Sequence, residues 1–389
     1  SGSSLEGTVF AGSDQVAAPV VQAEGAVLLN CGTGQILFGK NADQQFYPAS
    51  ITKVMTALLT IENCSLSDIV TFSEAATTNL ESGAVTINLT AGDQLTVEQS
   101  LHALLLKSAN EVANGLAEHI SGSVSAFADK MNQRAAQLGC KNTHFANPNG
   151  LNNSTHKTTP YDMALIARAA YANPDISRIS TTLTYQMPAT KNGAAKTITM
   201  GHKMNYSTDS RYYPGMVGGK TGYTSKAGNT LVTCVERDGV RLAAVVMKAS
   251  GTHYTDTKAM LDYGFALAAA GELERGAGSQ SEPGSQGTAG GSTQETGVNP
   301  SEPAAPAQTG WVQEGNVWSY RKADGSKAAG EWLTINGEAY YFHSSGQMAA
   351  NTWVRDGEKW LYAGSSGKML KNTVTPDGYQ VGTDGVWIP

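Results

Sequence analysis

Residues 48–61 read Pro-Ala-Ser-Ile-Thr-Lys-Val-Met-Thr-Ala-Leu-Leu-Thr-Ile, a stretch that begins an amphipathic helix. Apolar residues recur there at helical spacing, at Val54, Leu58 and Ile61. A proline followed by a serine is a typical helix start. Residues three apart share a helix face, so Lys53 would lie beside the hydroxyl of Ser50. The pair could be a nucleophile and its base. Alternatively, Ser50 only caps the helix and Lys53 is solvated.

A second motif, Ser108-Ala109-Asn110, interrupts another helical pattern. That pattern starts at Thr96-Val97-Glu98-Gln99, which has the form of a capping box. It resumes beyond Asn110 with apolar residues at Val112, Leu116 and Ile120. The motif is therefore predicted to lie in a turn between two helices, where a hydroxyl and an amide can point into a cleft. The alternative is a plain helix break in which Asn110 caps the next helix.

The third motif, Lys220-Thr221-Gly222, opens a β-rich stretch. Residues 230–235 and 242–247 have strand composition and are joined by Asp238-Gly239, a strong hairpin signal. An edge strand at this place could bind an extended peptide through its main chain. Lys220 would supply positive charge and Gly222 would allow close approach. Taken alone, the segment could equally be a glycine-rich turn.

These motifs are informative together rather than singly, since the form Ser-x-x-Lys occurs four times in the chain. In this order they resemble the motifs of the D-alanyl-D-alanine carboxypeptidases, the low-molecular-weight penicillin-binding proteins. The resemblance covers about residues 22–270 and extends to residues 41–59, 138–151, 156–164 and 219–228. It implies an α/β (α+β) domain of the serine β-lactamase and penicillin-binding-protein type. Strands from both ends of this range would join one antiparallel sheet flanked by helices.

The resemblance also implies roles for the motif residues. Ser50 would be the nucleophile and Lys53 its general base. Ser108 would relay a proton, Asn110 would orient Lys53 or the substrate, and Lys220 would be an electrostatic clamp. Lys53 can act as a base only if its pKa is depressed, and burial and the like charge of Lys220 would both lower it. Neither a metal nor an organic cofactor is implied.

Substrate contacts are expected along the third motif, at Thr221, Gly222, Tyr223 and Thr224. The backbone N–H groups of Ser50 and Tyr223 would form the oxyanion hole.

The chain departs from the family pattern at two places. The residue that would bind the substrate's terminal carboxylate stays open between His202, Lys203 and Arg211. Glu111 follows Asn110 where the family more often has aspartate.

Composition limits the partners and the compartment. Charged residues make up 15% of the 389 residues and the net charge is −6, which argues against a nucleic-acid partner. No stretch is long and apolar enough to span a bilayer. We interpret the start, Ser-Gly-Ser-Ser, as a mature form whose signal peptide has been removed. The widely spaced Cys31, Cys64, Cys140 and Cys234 lack the clustering of a zinc site and leave disulfide pairing open.

Composition also divides the chain into four segments. Residues 1–21 are predicted to be a flexible leader and residues 22–272 the catalytic domain. Residues 273–309 are dominated by Gly, Ser, Pro, Gln, Glu, Thr and Ala and contain no aromatic residue, which is typical of a disordered linker. Residues 310–389 are predicted to form cell-wall-binding repeats.

These repeats have a period of 21 residues, seen at Trp311, Trp332 and Trp353 and again at Tyr320, Tyr341 and Tyr362. The period predicts a solenoid of stacked β-hairpins with a degraded last unit. The segment resembles choline-binding repeats. The candidate wall-ligand residues are Trp318, Tyr320, Trp332, Tyr341, Trp353, Trp360 and Tyr362. They could hold choline by cation–π attraction or stack on a glycan polymer. Alternatively, they only join neighbouring repeats.

The combined prediction is a secreted enzyme at the cell wall of a Gram-positive bacterium. It would cleave the terminal D-Ala-D-Ala bond of a peptidoglycan stem peptide through an acyl-Ser50 ester, and β-lactam antibiotics would acylate the same serine. One alternative is a β-lactamase, which needs a further carboxylate base; no Glu-x-x-Leu-Asn-like segment stands between the second and third motifs. A peptidoglycan endopeptidase and a non-catalytic wall-binding protein are the others.

Overall fold

The computed structural model describes residues 9–78, 80–274, 310–314 and 317–389. Nearly all of the predicted linker and the first eight residues of the predicted leader lie outside these ranges. The chain divides into two compact units, Ser1–Thr60 with Ile69–Arg275, and Ile61–Asp68 with Gly276–Pro389. Within the described ranges, none of the helices has the length and apolar character needed to cross a membrane.

The described residues between 9 and 274 form both strands and helices. The strands are β1 (Gly25–Asn30), β2 (Ile36–Lys40), β3 (Ile69–Thr71), β4 (Gln94–Thr96), β5 (Thr184–Met187), β6 (Lys196–Thr199), β7 (Met216–Thr224), β8 (Gly228–Arg237) and β9 (Val240–Ala249). The α-helices are α1 (Lys53–Asn63), α2 (Glu74–Thr78), α3 (Val97–His102), α4 (Asn110–Ser121), α5 (Val124–Gln137), α6 (Pro160–Tyr171), α7 (Pro174–Ser180) and α8 (His253–Ala269). Short 3₁₀ helices at Ala49–Thr52 and Lys203–Asn205 and a π-helical turn at Ala103–Lys107 complete the set.

A five-stranded antiparallel sheet forms the centre of the first unit, in the order β2-β1-β9-β8-β7. The predicted joining of strands from both ends of the domain is confirmed, because β1 pairs with β9. The predicted hairpin is also confirmed: Asp238 and Gly239, with φ of 50° and 79°, connect β8 to β9. The third motif lies on β7, at the edge of this sheet.

Helices cover both faces of the sheet, since every residue of β1 is buried and successive side chains point to opposite faces. On one face α8 packs against β8 and β9 in a cluster that includes Leu28, Leu242 and Met260. Helix α6 contacts β1, β8 and β9 as well. This packed sandwich supplies the apolar burial that holds the sheet edge in place.

Some boundaries differ from the sequence prediction. The helix expected from Ser50 begins with the 3₁₀ turn, and α1 itself starts at Lys53. The sequence predicts a closing helix from Lys258 to Ala269, whereas α8 begins at His253, because the carboxylate of Asp256 accepts the N–H groups of Gln22 and Ala23 at 2.9 Å and so stabilises a polar first turn.

Part of the predicted leader packs onto the first unit. The N–H of Phe10 donates to the carbonyl of Ile36 at 2.8 Å, and Phe10 and Val16 pack against the core. The domain boundaries drawn from composition stay predictions.

The second unit contains antiparallel hairpins, as the 21-residue period predicts. They are β10 (Gly310–Glu314) with β11 (Val317–Arg321), β12 (Glu331–Ile335) with β13 (Glu338–Phe342), β14 (Thr352–Asp356) with β15 (Lys359–Ala363), and β16 (Thr373–Val374) with β17 (Gln380–Val381). The leading tryptophans lie opposite tyrosines, in the pairs Trp311–Tyr320, Trp332–Tyr341 and Trp353–Tyr362. The last hairpin has the shortest strands, in agreement with its degraded sequence.

Candidate active site

Ser50 lies in a tightly held turn at the start of the helix. The preceding residue, Ala49, has a φ of 54°, a left-handed conformation that costs free energy for a residue with a Cβ. The hydroxyl of Thr230 donates to the carbonyl of Pro48 at 2.8 Å, which ties this turn to β8. Backbone strain of this kind, which the surrounding structure imposes, is common at functional positions.

Two glycines allow the neighbouring backbones to approach this turn. A Cβ on Gly222 of β7 would lie 2.9 Å from the backbone N of Ser50 and 2.4 Å from Oγ1 of Thr230. A Cβ on Gly150 would lie 2.0 Å from the carbonyl oxygen of Ala49. The missing side chain of Gly222 therefore lets β7 lie against the turn that holds Ser50.

Lys53 is completely buried and its amine is surrounded by oxygen atoms. Nζ lies 2.9 Å from Oγ of Ser50, 2.8 Å from Oδ1 of Asn110 and 2.8 Å from the carbonyl oxygen of Asn149. Burial lowers the pKa of Lys53 well below its usual value, the charge of Lys220 lowers it further, and Glu111 acts in the opposite direction. A neutral amine at this place donates to Asn110 and Asn149 and turns its lone pair toward the serine hydroxyl. That is the geometry of a general base.

The second motif forms the turn predicted between two helices. Ser108 ends the π-helical turn with a φ of 65°, and α4 begins at Asn110. The capping box from Thr96 to Gln99 is also present. Nδ2 of Asn110 donates to the carbonyl of Val85 at 3.0 Å, which fixes the amide so that Oδ1 faces Lys53.

Lys220 is 2% exposed and bridges the second and third motifs. Its Nζ donates to Oγ of Ser108 at 3.1 Å and to the carbonyl of Thr221 at 2.7 Å. Burial lowers the pKa of Lys220 to about 7. The structure thus brings all five predicted catalytic residues into one cluster, in which two lysines flank two serines.

The predicted substrate-contact residues continue along β7. Tyr223 is 66% exposed beside the cluster. Thr224 is anchored, since its hydroxyl donates to Oδ1 of Asn152 at 3.1 Å. The outer edge of β7 is accordingly available to an extended peptide.

His202 differs from the other candidates for the carboxylate-binding residue. It is 1% exposed, Nε2 lies 2.8 Å from the hydroxyl of Thr233, and burial lowers the pKa of His202 to about 3. A neutral histidine cannot provide a positive charge near pH 7. Arg211 is exposed and pairs with Asp209 through two nitrogens, at 2.8 and 2.9 Å. Nζ of Lys203 lies 5.4 Å from the ring centre of Tyr206.

Sequence reasoning assigned no role to the carbonyl of Asn149, although it noted the segment around it. Nδ2 of Asn149 donates to Asn114 at 2.9 Å, and its backbone N–H donates to Oδ1 of Asn147 at 3.2 Å. These bonds aim the carbonyl at Lys53. The four cysteines are all described, all buried, and not joined by disulfides.

The candidate wall-ligand aromatics fall into two groups. Trp353 and Tyr362 are 3% and 1% exposed, and Nε1 of Trp353 donates to Asp377 at 2.9 Å, so these two join neighbouring repeats. The other candidates are half-buried: Trp318, Tyr320, Trp332, Tyr341 and Trp360. Among these, the rings of Trp332 and Tyr341 meet edge to face with centroids 5.3 Å apart.

Comparisons with known proteins agree with this arrangement. Residues 13–251 match the family model described as D-alanyl-D-alanine carboxypeptidase, peptidase family S11. Residues 308–353 and 358–387 match two models described as choline-binding repeats.

Similar proteins include D-alanyl-D-alanine carboxypeptidase DacF of Bacillus subtilis, 36% identical over 63% of this chain and 62% of that protein. DacB2 of Mycobacterium tuberculosis is 35% identical over 62% of this chain and 81% of its own length. Among solved structures, the Streptomyces K15 DD-transpeptidase is similar with a TM-score of 0.59 and 31% identity, over 65% of this chain and all of that one.

Proposed function

Since this chain belongs to the D-alanyl-D-alanine carboxypeptidase family, we propose that it removes the terminal D-alanine from peptidoglycan stem peptides. The chemistry passes through an ester on Ser50. The observation that carries the proposal is the buried amine of Lys53, 2.9 Å from Oγ of Ser50, with its other two contacts occupied by fixed oxygen atoms.

In acylation one proton moves from the hydroxyl of Ser50 to the departing amine, and an ester bond replaces the peptide bond. Oγ of Ser50 bonds to the carbonyl carbon of the penultimate D-alanine while Lys53 takes the hydroxyl proton. The carbon–nitrogen bond then breaks, and the proton that Lys53 took passes through the hydroxyl of Ser108 to the departing amine, which leaves Lys53 neutral again. The backbone N–H groups of Ser50 and Tyr223 stabilise the oxyanion, at roughly 3 kcal/mol each.

Deacylation repeats this chemistry with water as the nucleophile. Lys53 accepts a proton from the water as its oxygen bonds to the ester carbon, and returns that proton to Oγ of Ser50. The shortened peptide leaves with a new carboxylate. Lys220 attracts the anionic substrate before the reaction, which is its role as an electrostatic clamp.

The second unit anchors the enzyme to the cell wall in this proposal. The support is the match of residues 308–353 and 358–387 to choline-binding repeats and the half-buried aromatic side chains on their hairpins. The ligand is choline on a wall polymer, bound by cation–π attraction, with a glycan as the competing ligand. Either ligand is consistent with a protein secreted by a Gram-positive cell.

Labelling with a penicillin tests the acylation step and separates the enzyme classes. We expect an adduct of one drug per chain, mapped by mass spectrometry to the peptide that contains Ser50 and stable for minutes or longer. Rapid release of hydrolysed drug would instead support the β-lactamase alternative. Release of a D-Ala-containing fragment from crosslinked dimers, with none from linear pentapeptides, would support an endopeptidase.

A further inference from the structure

Glu111 is a buried carboxylate that the proposed mechanism does not use. It lies in the first turn of α4 and is 1% exposed. Its Oε2 accepts the backbone N–H of Ile87 at 2.9 Å and of Leu89 at 3.3 Å. Both donors belong to buried residues in a stretch that has neither helix nor strand. The carboxylate therefore satisfies main-chain donors that no sheet or helix satisfies there.

The backbone between these donors is shaped for this contact. Asn88 has a φ of 61°, and a residue in the left-handed conformation lets successive N–H groups converge on one acceptor. Asparagine tolerates this conformation better than most residues with a Cβ. From the other side, Nζ of Lys196 on β6 donates to the carbonyl of Ile87 at 3.2 Å. Ile87 is thus held at its N–H by Glu111 and at its carbonyl by Lys196.

The same segment fixes the amide of the second motif. The carbonyl of Val85 accepts the backbone N–H of Asn110 at 2.9 Å and its Nδ2 at 3.0 Å. With Nδ2 committed to Val85, Oδ1 is the atom that faces Nζ of Lys53, at 2.8 Å. The hydrogen bonds of Glu111 to Ile87 and Leu89 are thus connected, through the backbone of residues 85–87, to the bonds that run from Val85 through Asn110 to the amine beside Ser50.

We propose that Glu111 is a positioning residue that holds residues 85–89 in place, so that Val85 can orient the amide of Asn110 against Lys53. This inference rests on the proposed function, because it assigns Glu111 a task in the same acylation step. It adds an electrostatic effect, since a carboxylate near Lys53 favours the protonated amine. The charged groups that act on Lys53 are Glu111 on α4 and Lys220 on β7, and Lys196 acts on Glu111.

Two substitutions of Glu111 distinguish the effect of its hydrogen bonds on acylation from the effect of its negative charge. In Glu111→Gln a side-chain oxygen can still accept both N–H groups, so we expect most of the penicillin acylation rate to be kept. Because the negative charge is lost, the pKa of Lys53 falls and the rising limb of the pH–rate profile moves to lower pH. In Glu111→Ala the contact is lost, and we expect acylation to slow by roughly 10- to 100-fold, the usual cost of a misplaced catalytic group.

A double-mutant cycle tests whether Glu111 acts through Asn110. In an Asn110→Ala background, Glu111→Ala should cost little further acylation rate, because the group that it positions is already gone. The matched control is Glu118→Ala on the same helix, whose carboxylate accepts the hydroxyl of Ser73 at 2.6 Å. Additive losses in the cycle, or equal losses in the Glu118 variant, would show a general stabilising role and overturn the proposal.

Amide hydrogen exchange gives a readout that does not depend on activity. In Glu111→Ala the amides of Ile87, Leu89 and Asn110 should exchange at least tenfold faster, while amides of the central sheet keep their protection. Unchanged exchange at all three would refute the positioning role even if the enzyme were inactive on every substrate. If exchange rises as expected but no D-alanine is released by the unaltered chain, the proposed function fails and the positioning role stands.

Discussion

At the residue scale, the proposed mechanism depends on keeping one buried amine uncharged. Lys53 has three oxygen neighbours within 2.9 Å, and none of them is a carboxylate oxygen. Burial and the nearby Lys220 both lower its pKa. An amine in this setting can take the proton of Ser50 at neutral pH, which a solvated lysine cannot do efficiently.

Lys53→Arg tests the need for a neutral base. A guanidinium stays protonated under all relevant conditions, so we expect the acylation rate to fall by roughly 10²- to 10⁴-fold. Stopped-flow labelling with a fluorescent penicillin measures the rate. The exposed Lys107, changed to arginine in the same way, is the control and should keep full activity; a Lys53→Arg protein as fast as the control would remove Lys53 from the mechanism.

The pH profile should report both lysines. The proposed mechanism requires Lys53 neutral and Lys220 charged, so we expect kcat/KM to rise as Lys53 loses its proton and to fall as pH passes the pKa of Lys220, about 7. Because the two groups interact, the observed midpoints belong to the pair. In Lys220→Arg the guanidinium stays charged, and the alkaline limb should disappear. If the alkaline limb persisted in Lys220→Arg, it would report the titration of a group other than Lys220 and would contradict this assignment.

At the scale of elements, β7 and the 3₁₀ turn must meet almost backbone to backbone. Gly222→Ala places a Cβ 2.9 Å from the N of Ser50. Shifting the turn to relieve this contact should reduce acylation by roughly 100-fold. Gly193→Ala is the control, since its Cβ would have only a 3.7 Å contact with Thr190. Equal penicillin-labelling rates in the two variants would contradict the role of Gly222.

Elements with a local signal were predictable from the sequence. The β8–β9 hairpin follows from Asp238-Gly239, and the start of α3 follows from its capping box. The contacts of Asn110 with Val85 and of Lys53 with Asn149 were not predictable, because they use backbone carbonyls distant in sequence. Backbone atoms carry no residue identity, and the irregular segment that contains Val85 has no periodicity. The motifs thus predicted which residues lie together, but not two of the backbone groups that orient them.

At the scale of the whole molecule, we propose that the first unit carries out catalysis and the second unit binds the cell wall. We predict that Trp332→Ala weakens binding to purified cell walls while the rate on a soluble peptide is unchanged, because Trp332 is a half-buried hairpin residue. Trp353→Ala should instead destabilise the repeats by roughly 3–5 kcal/mol, because it removes a buried side chain. Co-sedimentation with cell walls and thermal unfolding measure the two effects. Unchanged wall binding in folded Trp332→Ala would argue that this aromatic residue only joins repeats.

The central claim is that Ser50 cleaves a terminal D-Ala-D-Ala bond, and release of D-alanine from an acyl-Lys-D-Ala-D-Ala peptide tests it most directly. The chain is compared with its Ser50→Ala variant at equal concentration and with equal folding by circular dichroism. We predict steady release by the unaltered chain and none above background by the variant. Absence of release from both, with wall binding intact, would contradict the account and leave a wall-binding protein in its place.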